Sequence, residues 1–320
     1  MASVFYPRYP EGDLHPECEA LLRRSTAADA VSLDAMSLED ARADFLLPDW
    51  LGIPRDDVTP STAEAGGIPL RIYTPEGRGP KPVLIFFHGG GFVMGTPDEF
   101  APFCTQVAAR VHCIVVSVGY RLAPESPFPA AFDDAWAATE WVAANATSFG
   151  GDPGRLAVAG DSAGGNLAAA VSMLARDEGA PGLTHQILIC PWVDMSSASE
   201  ETDSFRHFGE GPWLSTVGIR WYRRHYLRDL AQSEDPRVSP LLAQSFCGLP
   251  SALVITAEFD VLADQGRSYA ECLARAGVPV VHCCYPGMLH DFVVLPALFT
   301  PAWDALDQMA AFSRTAFSLA

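Results

Sequence analysis

The chain has 320 residues, 49% hydrophobic and 19% charged, a balance that builds a compact core and excludes a disordered chain. Its formal net charge of −18 repels nucleic-acid phosphates and anionic membrane surfaces, which sets both aside as partners.

The first residues, Met1 to Pro7, lack a basic segment followed by an apolar one, and so do not read as a secretion signal. No apolar run reaches the roughly 18 residues of a membrane helix; Phe292 to Phe299 is short and contains Pro296. The expectation is a cytoplasmic protein. Its eight cysteines form no C-x-x-C pair and sit in apolar surroundings, as small buried hydrophobes do. Adjacent Cys283 and Cys284 point to opposite faces of a predicted strand and cannot bridge, and no His/Cys group has zinc-ligand spacing.

Residues 1–50 hold two helix-like pieces, Glu17 to Arg24 and Ser37 to Leu47, the second with Ser37 as N-cap and Asp40 three residues on. Leu38, Ala41, Phe45 and Leu46 give it an apolar stripe, which predicts a cap segment lying over the main domain. Val58 to Thr74 reads as two strands around Gly66-Gly67. Val83 to Phe87 is a continuous apolar run, the mark of a strand buried on both faces of a parallel sheet. It runs into His88-Gly89-Gly90-Gly91-Phe92, whose glycines let backbone amides turn toward a ligand. No Gly-Lys-Ser/Thr follows, which argues against a phosphate loop.

A helix from about Glu99 to Arg110, a strand Cys113 to Val118, a helix Phe132 to Ala144, the strand into Ser162, the helix after it and the strand Gln186 to Cys190 then alternate. Alternation at this spacing predicts a doubly wound parallel sheet with its site at the carboxyl ends of the strands. Residues 195–229 break the pattern. Their aromatic residues predict an inserted cap segment over the strand ends, leaving 51–194 and 230–320 as the catalytic domain. Alternation resumes with strand Ala252 to Ala257, helix Gln265 to Ala276, strand Val280 to Tyr285 and a final helix from about Ala302.

Gly160-Asp161-Ser162-Ala163-Gly164 lies between a strand and a helix, so G-x-S-x-G describes a tight turn with Ser162 at its apex. A serine hydroxyl needs a histidine to take its proton, and the histidine needs a carboxylate to fix its tautomer. Beyond Ser162, Asp260 is the best-placed acid, just after a strand, with Glu258 and Asp264 as near rivals. His290, in the loop after the last strand, is the base; His282 lies inside that strand and reads as structural. The order Ser162, Asp260, His290 is that of α/β-hydrolases.

With these residues in view the chain resembles the bacterial hormone-sensitive-lipase-like esterases, a branch of the α/β-hydrolases. The resemblance rests on His88-Gly89-Gly90-Gly91, Tyr120 to Glu125, Phe128 to Ala131, Gly160 to Gly165, Asp235 to Leu241 and the Asp260 and His290 segments. It implies a mostly parallel eight-stranded sheet flanked by helices, with a helical cap, and a serine carboxylesterase acting on short-to-medium acyl esters through an acyl-enzyme. Combined with the loop chemistry, it implies an oxyanion hole from the amides of Gly89, Gly90 and Ala163. Phe92, Trp192, Phe205, Phe208, Trp213 and Tyr222 are the candidate pocket residues, with the aromatic cap limiting acyl length. The partner is a small-molecule ester, no metal or organic cofactor is needed, and a homodimer through the last strand and helix is implied.

The same machinery would serve a deacetylase or an amidase or peptidase of a specialised small molecule, and the fold also carries non-catalytic ligand-binding proteins. Two positions depart from the family pattern: Val261 where the acid loop usually has Pro, and Asp291 where Gly usually follows the histidine. The first changes loop stiffness. The second sets another carboxylate beside the base, which should raise its pKa.

Overall fold

The computed structural model describes residues 13–25, 32–43, 45, 50, 52–211 and 213–318. Eight strands form one sheet: β1 (Val58–Ala65), β2 (Ile68–Pro75), β3 (Lys81–Phe87), β4 (Ile114–Val118), β5 (Gly151–Asp161), β6 (Leu183–Ile189), β7 (Ser251–Phe259) and β8 (Val280–Leu289). Their order is β1-β2-β4-β3-β5-β6-β7-β8. The β1–β2 hairpin is antiparallel, β2 joins β4 antiparallel, and all later pairings are parallel. The chain therefore needs helical crossovers from β3 onward.

Those crossovers cover both faces. On β3, Val83, Ile85 and Phe87 face one apolar cluster and Leu84 and Phe86 the other, the period of two that a strand dictates. Helices α4 (Ala130–Asn145), α5 (Ala163–Glu178) and α8 (Ala263–Arg275) bury their apolar residues in the first cluster. Helices α3 (Ala101–Val111) and α9 (Pro301–Ser318) close the second. A central strand enclosed on both sides has no solvated face, which is why β3 reads as an unbroken apolar run from Val83 and β4 as one interrupted only by the buried Ser117.

Near the N-terminus, α1 (Pro16–Ser25) docks at the far sheet edge, where the His15 amide donates to the Gly287 carbonyl. In α2 (Leu38–Ala43) the Ser37 hydroxyl oxygen accepts from the Asp40 amide at 3.1 Å, the cap expected from sequence. Arg42 fastens this helix to the domain by bonds to the Val93 and Ala123 carbonyls and both Glu125 oxygens. The expected continuation of this helix to Leu47 lies mostly outside the described residues. Residues 195–229 contribute a 3-10 turn, α6 (Asp203–Phe208) and α7 (Thr216–Tyr226), and no strand among the described residues.

One boundary differs from expectation. Strand β8 runs on through Pro286-Gly287 to Leu289, where the sequence suggested a loop. As the sheet's edge, β8 has one neighbouring strand, and an edge tolerates a proline; the Gly287 amide is taken by the Glu258 carboxylate at 2.7 Å. A register shift between Ala257 and Phe259 then pairs Phe259 with Leu289. The next residues on the two strands are Asp260 and His290.

Candidate active site

Strand β5 ends at Asp161 and α5 begins at Ala163, so the turn between them is a single residue. Ser162 holds φ 52°, ψ −115°, a strained conformation that surrounding contacts must enforce. Its amide donates to the Ile189 carbonyl at 2.8 Å, and its own carbonyl accepts from Trp192. Close packing leaves no room beside the turn. A Cβ on Gly160 would lie 2.1 Å from the Gly164 carbonyl oxygen, and one on Gly164 would lie 1.9 Å from that of Phe87.

The three chemically linked side chains come from three strand ends. His290 Nε2 lies 3.0 Å from Ser162 Oγ, and His290 Nδ1 lies 2.7 Å from Asp260 Oδ2. The other Asp260 oxygen accepts from the Leu262 amide at 2.9 Å. With one oxygen on a backbone donor and the other on the ring, Asp260 fixes the imidazole with Nδ1 protonated and Nε2 turned to the serine. The rivals are engaged elsewhere: Glu258 accepts from Gly287 and Asp264 from the Ser204 amide. His282 is buried against the Thr256 hydroxyl at 3.0 Å, a structural position as expected.

Asp291 sets a second carboxylate beside the base, the departure from the family pattern noted in the sequence. Its Oδ2 lies 3.1 Å from His290 Nε2, on the same nitrogen that faces Ser162. Burial opposes a charged His290, yet the charges of Asp260 and Asp291 and the hydrogen bonds to both overcome it and hold its pKa well above the ordinary value. Burial, reinforced by the charge on Asp291, also lifts the Asp161 carboxyl well above its usual range. Behind them Cys190, at the end of β6, faces His290, and burial pushes its thiol up to about 12. Cys190, Asp260 and His290 place potential ligand atoms within 4.8 Å of one another, a group made by strand ends and invisible to sequence spacing. The bond between Nδ1 and Asp260 already occupies two of the three.

The glycine loop sits opposite Ser162. Burial lowers the His88 pKa to about 4, so the ring is neutral and its Nδ1 donates to the Gly89 carbonyl at 2.7 Å. Gly90 and Gly91, at φ 106° and 61°, line the cavity with Ser162. Among the described residues no backbone carbonyl accepts from either amide. Gly89 does not line it. It packs against Asp161, where a Cβ on it would lie 2.2 Å from Oδ2. Of the expected oxyanion glycines, Gly90 lines the cavity and Gly89 does not; Gly91 stands there beside Gly90, while Gly89 packs against the buried Asp161. Ala163 starts α5, where first-turn amides have no intrahelical acceptor.

The cavity measures about 500 Å³. Of the candidate pocket residues, Trp192, Trp213 and Tyr222 line it, joined by Phe45 and Trp50 from the N-terminal segment and Ile219 from α7. Three candidates do not. Phe92 holds φ 64° and stacks on Tyr226 with ring centres 3.8 Å apart, fully buried. Phe208 packs on Phe259 at 5.3 Å. Phe205 is buried on the same short helix, which is anchored by the Ser204 hydroxyl on the Val261 carbonyl. These aromatics hold the cap to the domain and leave the wall to others.

A family model described as the alpha/beta hydrolase fold matches residues 84–294. The chain belongs to the α/β-hydrolase family. Within it the chain falls in the hormone-sensitive-lipase-like branch. The α/β-hydrolase match extends to named proteins: it is 45% identical over 237 residues to carboxylic ester hydrolase LipN of Mycobacterium tuberculosis, covering 72% of this chain and 62% of that protein. Against ethyl acetate hydrolase of Pseudomonas putida it is 34% identical over 310 residues, 92% of this chain and 96% of the other. The crystal structure of a thermostable esterase from Pseudomonas putida superposes with a TM-score of 0.90 at 36% identity, covering 95% and 98% of the two chains. No helix among the described residues is long and apolar enough to cross a membrane.

Proposed function

We propose that this α/β-hydrolase is a serine carboxylesterase for short-to-medium acyl esters, with Ser162 as nucleophile, His290 as general base and acid, and Asp260 as the group that orients His290. The observation that carries the reading is the continuous chain from Ser162 Oγ through both His290 nitrogens to Asp260 Oδ2, at 3.0 and 2.7 Å. Its relatives are named as carboxylesterases and ester hydrolases, which supports the same assignment.

In acylation the Ser162 O–H bond breaks, its proton passes to Nε2, and Oγ attacks the ester carbonyl carbon. The carbonyl electron pair moves onto oxygen, and the amides of Gly90, Gly91 and Ala163 donate hydrogen bonds to the oxyanion so formed. Collapse of this intermediate expels the alcohol oxygen with its bonding pair, and Nε2–H protonates it. Water repeats the sequence on the acyl-enzyme and releases the acid. Loss of one oxyanion donor costs on the order of 100-fold or more in turnover.

Short-to-medium acyl groups suit a cavity of about 500 Å³ walled by Trp192, Trp213, Phe45 and Trp50. The test is hydrolysis of p-nitrophenyl esters from acetate to palmitate, with Ser162→Ala alongside. Turnover concentrated on short chains and abolished in the variant is expected. Activity surviving in Ser162→Ala, or no turnover by the wild type on any chain, would overturn the proposal.

A further inference from the structure

His290 Nε2 has two partners, and its chemistry provides for one. Ser162 Oγ lies at 3.0 Å and Asp291 Oδ2 at 3.1 Å, while the nitrogen carries either one lone pair or one proton. Asp291 is also a non-glycine residue in the left-handed region, at φ 58°, ψ 20°, and its Oδ1 is buried without a hydrogen-bond partner. A strained backbone and an unsatisfied carboxyl oxygen beside the reacting nitrogen mark a site maintained by something other than stability.

We propose that Asp291 is a second acceptor for the proton on His290 Nε2, in competition with the leaving-group oxygen of the ester. The inference rests on the triad assignment above and adds a residue to it. When Ser162 attacks, Nε2 gains the serine proton, and the Nε2–H so formed can point to the departing oxygen or to Asp291 Oδ2. Burial raises the Asp291 carboxyl above its ordinary value; once ionised, it accepts this hydrogen bond without taking the proton. It favours the imidazolium, assisting attack, and holds the proton back when the C–O bond breaks. A leaving group that departs as a stable anion does not need that proton. An alkoxide does.

The surroundings of His290 leave Asp291 distinct in this respect. Asp260 faces Nδ1 and cannot reach for the transferred proton. Asp161, at the end of β5, packs against Gly89, and burial lifts its carboxyl well above the usual range. Cys190, from β6, and Tyr222, from α7, also face the ring as neutral groups, both raised by burial to about 12. No Lys or Arg is among the described residues lining the cavity. Removing the Asp291 charge therefore leaves His290 with Asp260 as its one direct carboxylate partner, and the pH below which the base is protonated falls.

The experiment uses Asp291→Asn, which keeps shape and tolerates the left-handed backbone, and Asp291→Gly, which relieves the strain. For both, kcat/KM is followed against pH with p-nitrophenyl acetate and with an alkyl acetate such as ethyl acetate. The acid limb is expected to move down by about one pH unit. The ratio of alkyl to p-nitrophenyl turnover at the pH plateau is expected to rise about tenfold. An acid limb and a ratio unchanged in Asp291→Asn would overturn the proposal. A structural role alone would lower both substrates together and leave the limb in place. Ser162→Ala, assayed beside them, reports on the triad independently of what Asp291 does.

Discussion

The Tyr120 hydroxyl donates to the His88 carbonyl oxygen at 2.6 Å while its ring stacks on the His88 imidazole, centres 4.3 Å apart. His88 in turn holds the Gly89 carbonyl, so one buried side chain fixes the shape of the glycine loop that faces Ser162. Tyr120→Phe keeps the stack and strands the His88 carbonyl in the core. A stability loss of about 1–3 kcal/mol is expected, together with a roughly tenfold fall in kcat and little change in KM, since the donors matter most when charge develops on oxygen. Thermal unfolding and steady-state kinetics check it; an unaltered kcat would show that the loop holds its shape without the hydroxyl.

Three histidines are buried in neutral form. Burial lowers His88 and His282 to about 4 and His185 to about 3. Each binds a proton more readily unfolded, near pH 6.5, than folded, so each contributes stability that is present above that pH and lost as pH falls toward its folded value. Asp161 and Asp291, raised by burial, and His290, raised against its burial by Asp260 and Asp291, work in the opposite sense and cost stability as pH rises through their folded values. By pH 5 the histidines together should remove several kcal/mol, at about 1.4 kcal/mol per pH unit for each. Denaturant unfolding at pH 7, 6 and 5 measures it, and a midpoint constant across that range would refute the neutral assignment.

The turn at Ser162 depends on glycine where backbone meets backbone. Gly164→Ala would place a Cβ 1.9 Å from the Phe87 carbonyl, on the central strand β3, which cannot move. No folded protein is expected from this variant. At Gly91 the added Cβ would lie 2.1 Å from Tyr222 Cδ1, the flank of a side chain on the cap helix, although φ 61° adds strain. Gly91→Ala should fold with reduced kcat, and Tyr222→Ala in the same chain should relieve the contact and leave the backbone strain. Soluble yield and circular dichroism separate the cases; a well-folded Gly164→Ala would mean the turn has more slack than its distances allow.

The strands of the central sheet were legible because burial on both faces writes unbroken apolar runs such as Val83 to Phe87, and Ser162 and Asp260 because each closely follows such a run, whereas His290 was legible from its place after the last strand. Direction was not legible. Phe92 follows the glycine loop, yet its left-handed backbone turns the ring onto Tyr226 and away from the cavity. Gly89 and Gly91 are indistinguishable in sequence, and only the structure shows Gly89 packed against Asp161 and Gly91 at the cavity. The signal for Asp291 was visible as a departure from the family's glycine. Its contact with Nε2 depended on the bulge that sets Leu289 opposite Phe259.

The charge of the cavity predicts what it refuses. Asp161 and Asp291 line it, and no Lys or Arg does among the described residues. At a pH where Asp291, raised by burial, is ionised, an ester with a carboxylate in its acyl chain would bring a second negative charge into a partly enclosed apolar space, where like charges cost several kcal/mol. Methyl hemisuccinate, compared with the neutral methyl valerate, should therefore show kcat/KM lower by about 100-fold, equivalent to about 2.7 kcal/mol. Asp291→Asn should recover part of that gap, because it removes the carboxylate nearest the reacting atoms. The comparison holds chain length nearly constant, so pocket size cannot mimic the effect. Equal rates for the two esters would mean that the cavity carboxyls are protonated at the assay pH or that acyl groups lie far from them, and repeating the assay at higher pH, where Asp291 ionises fully, tells these apart.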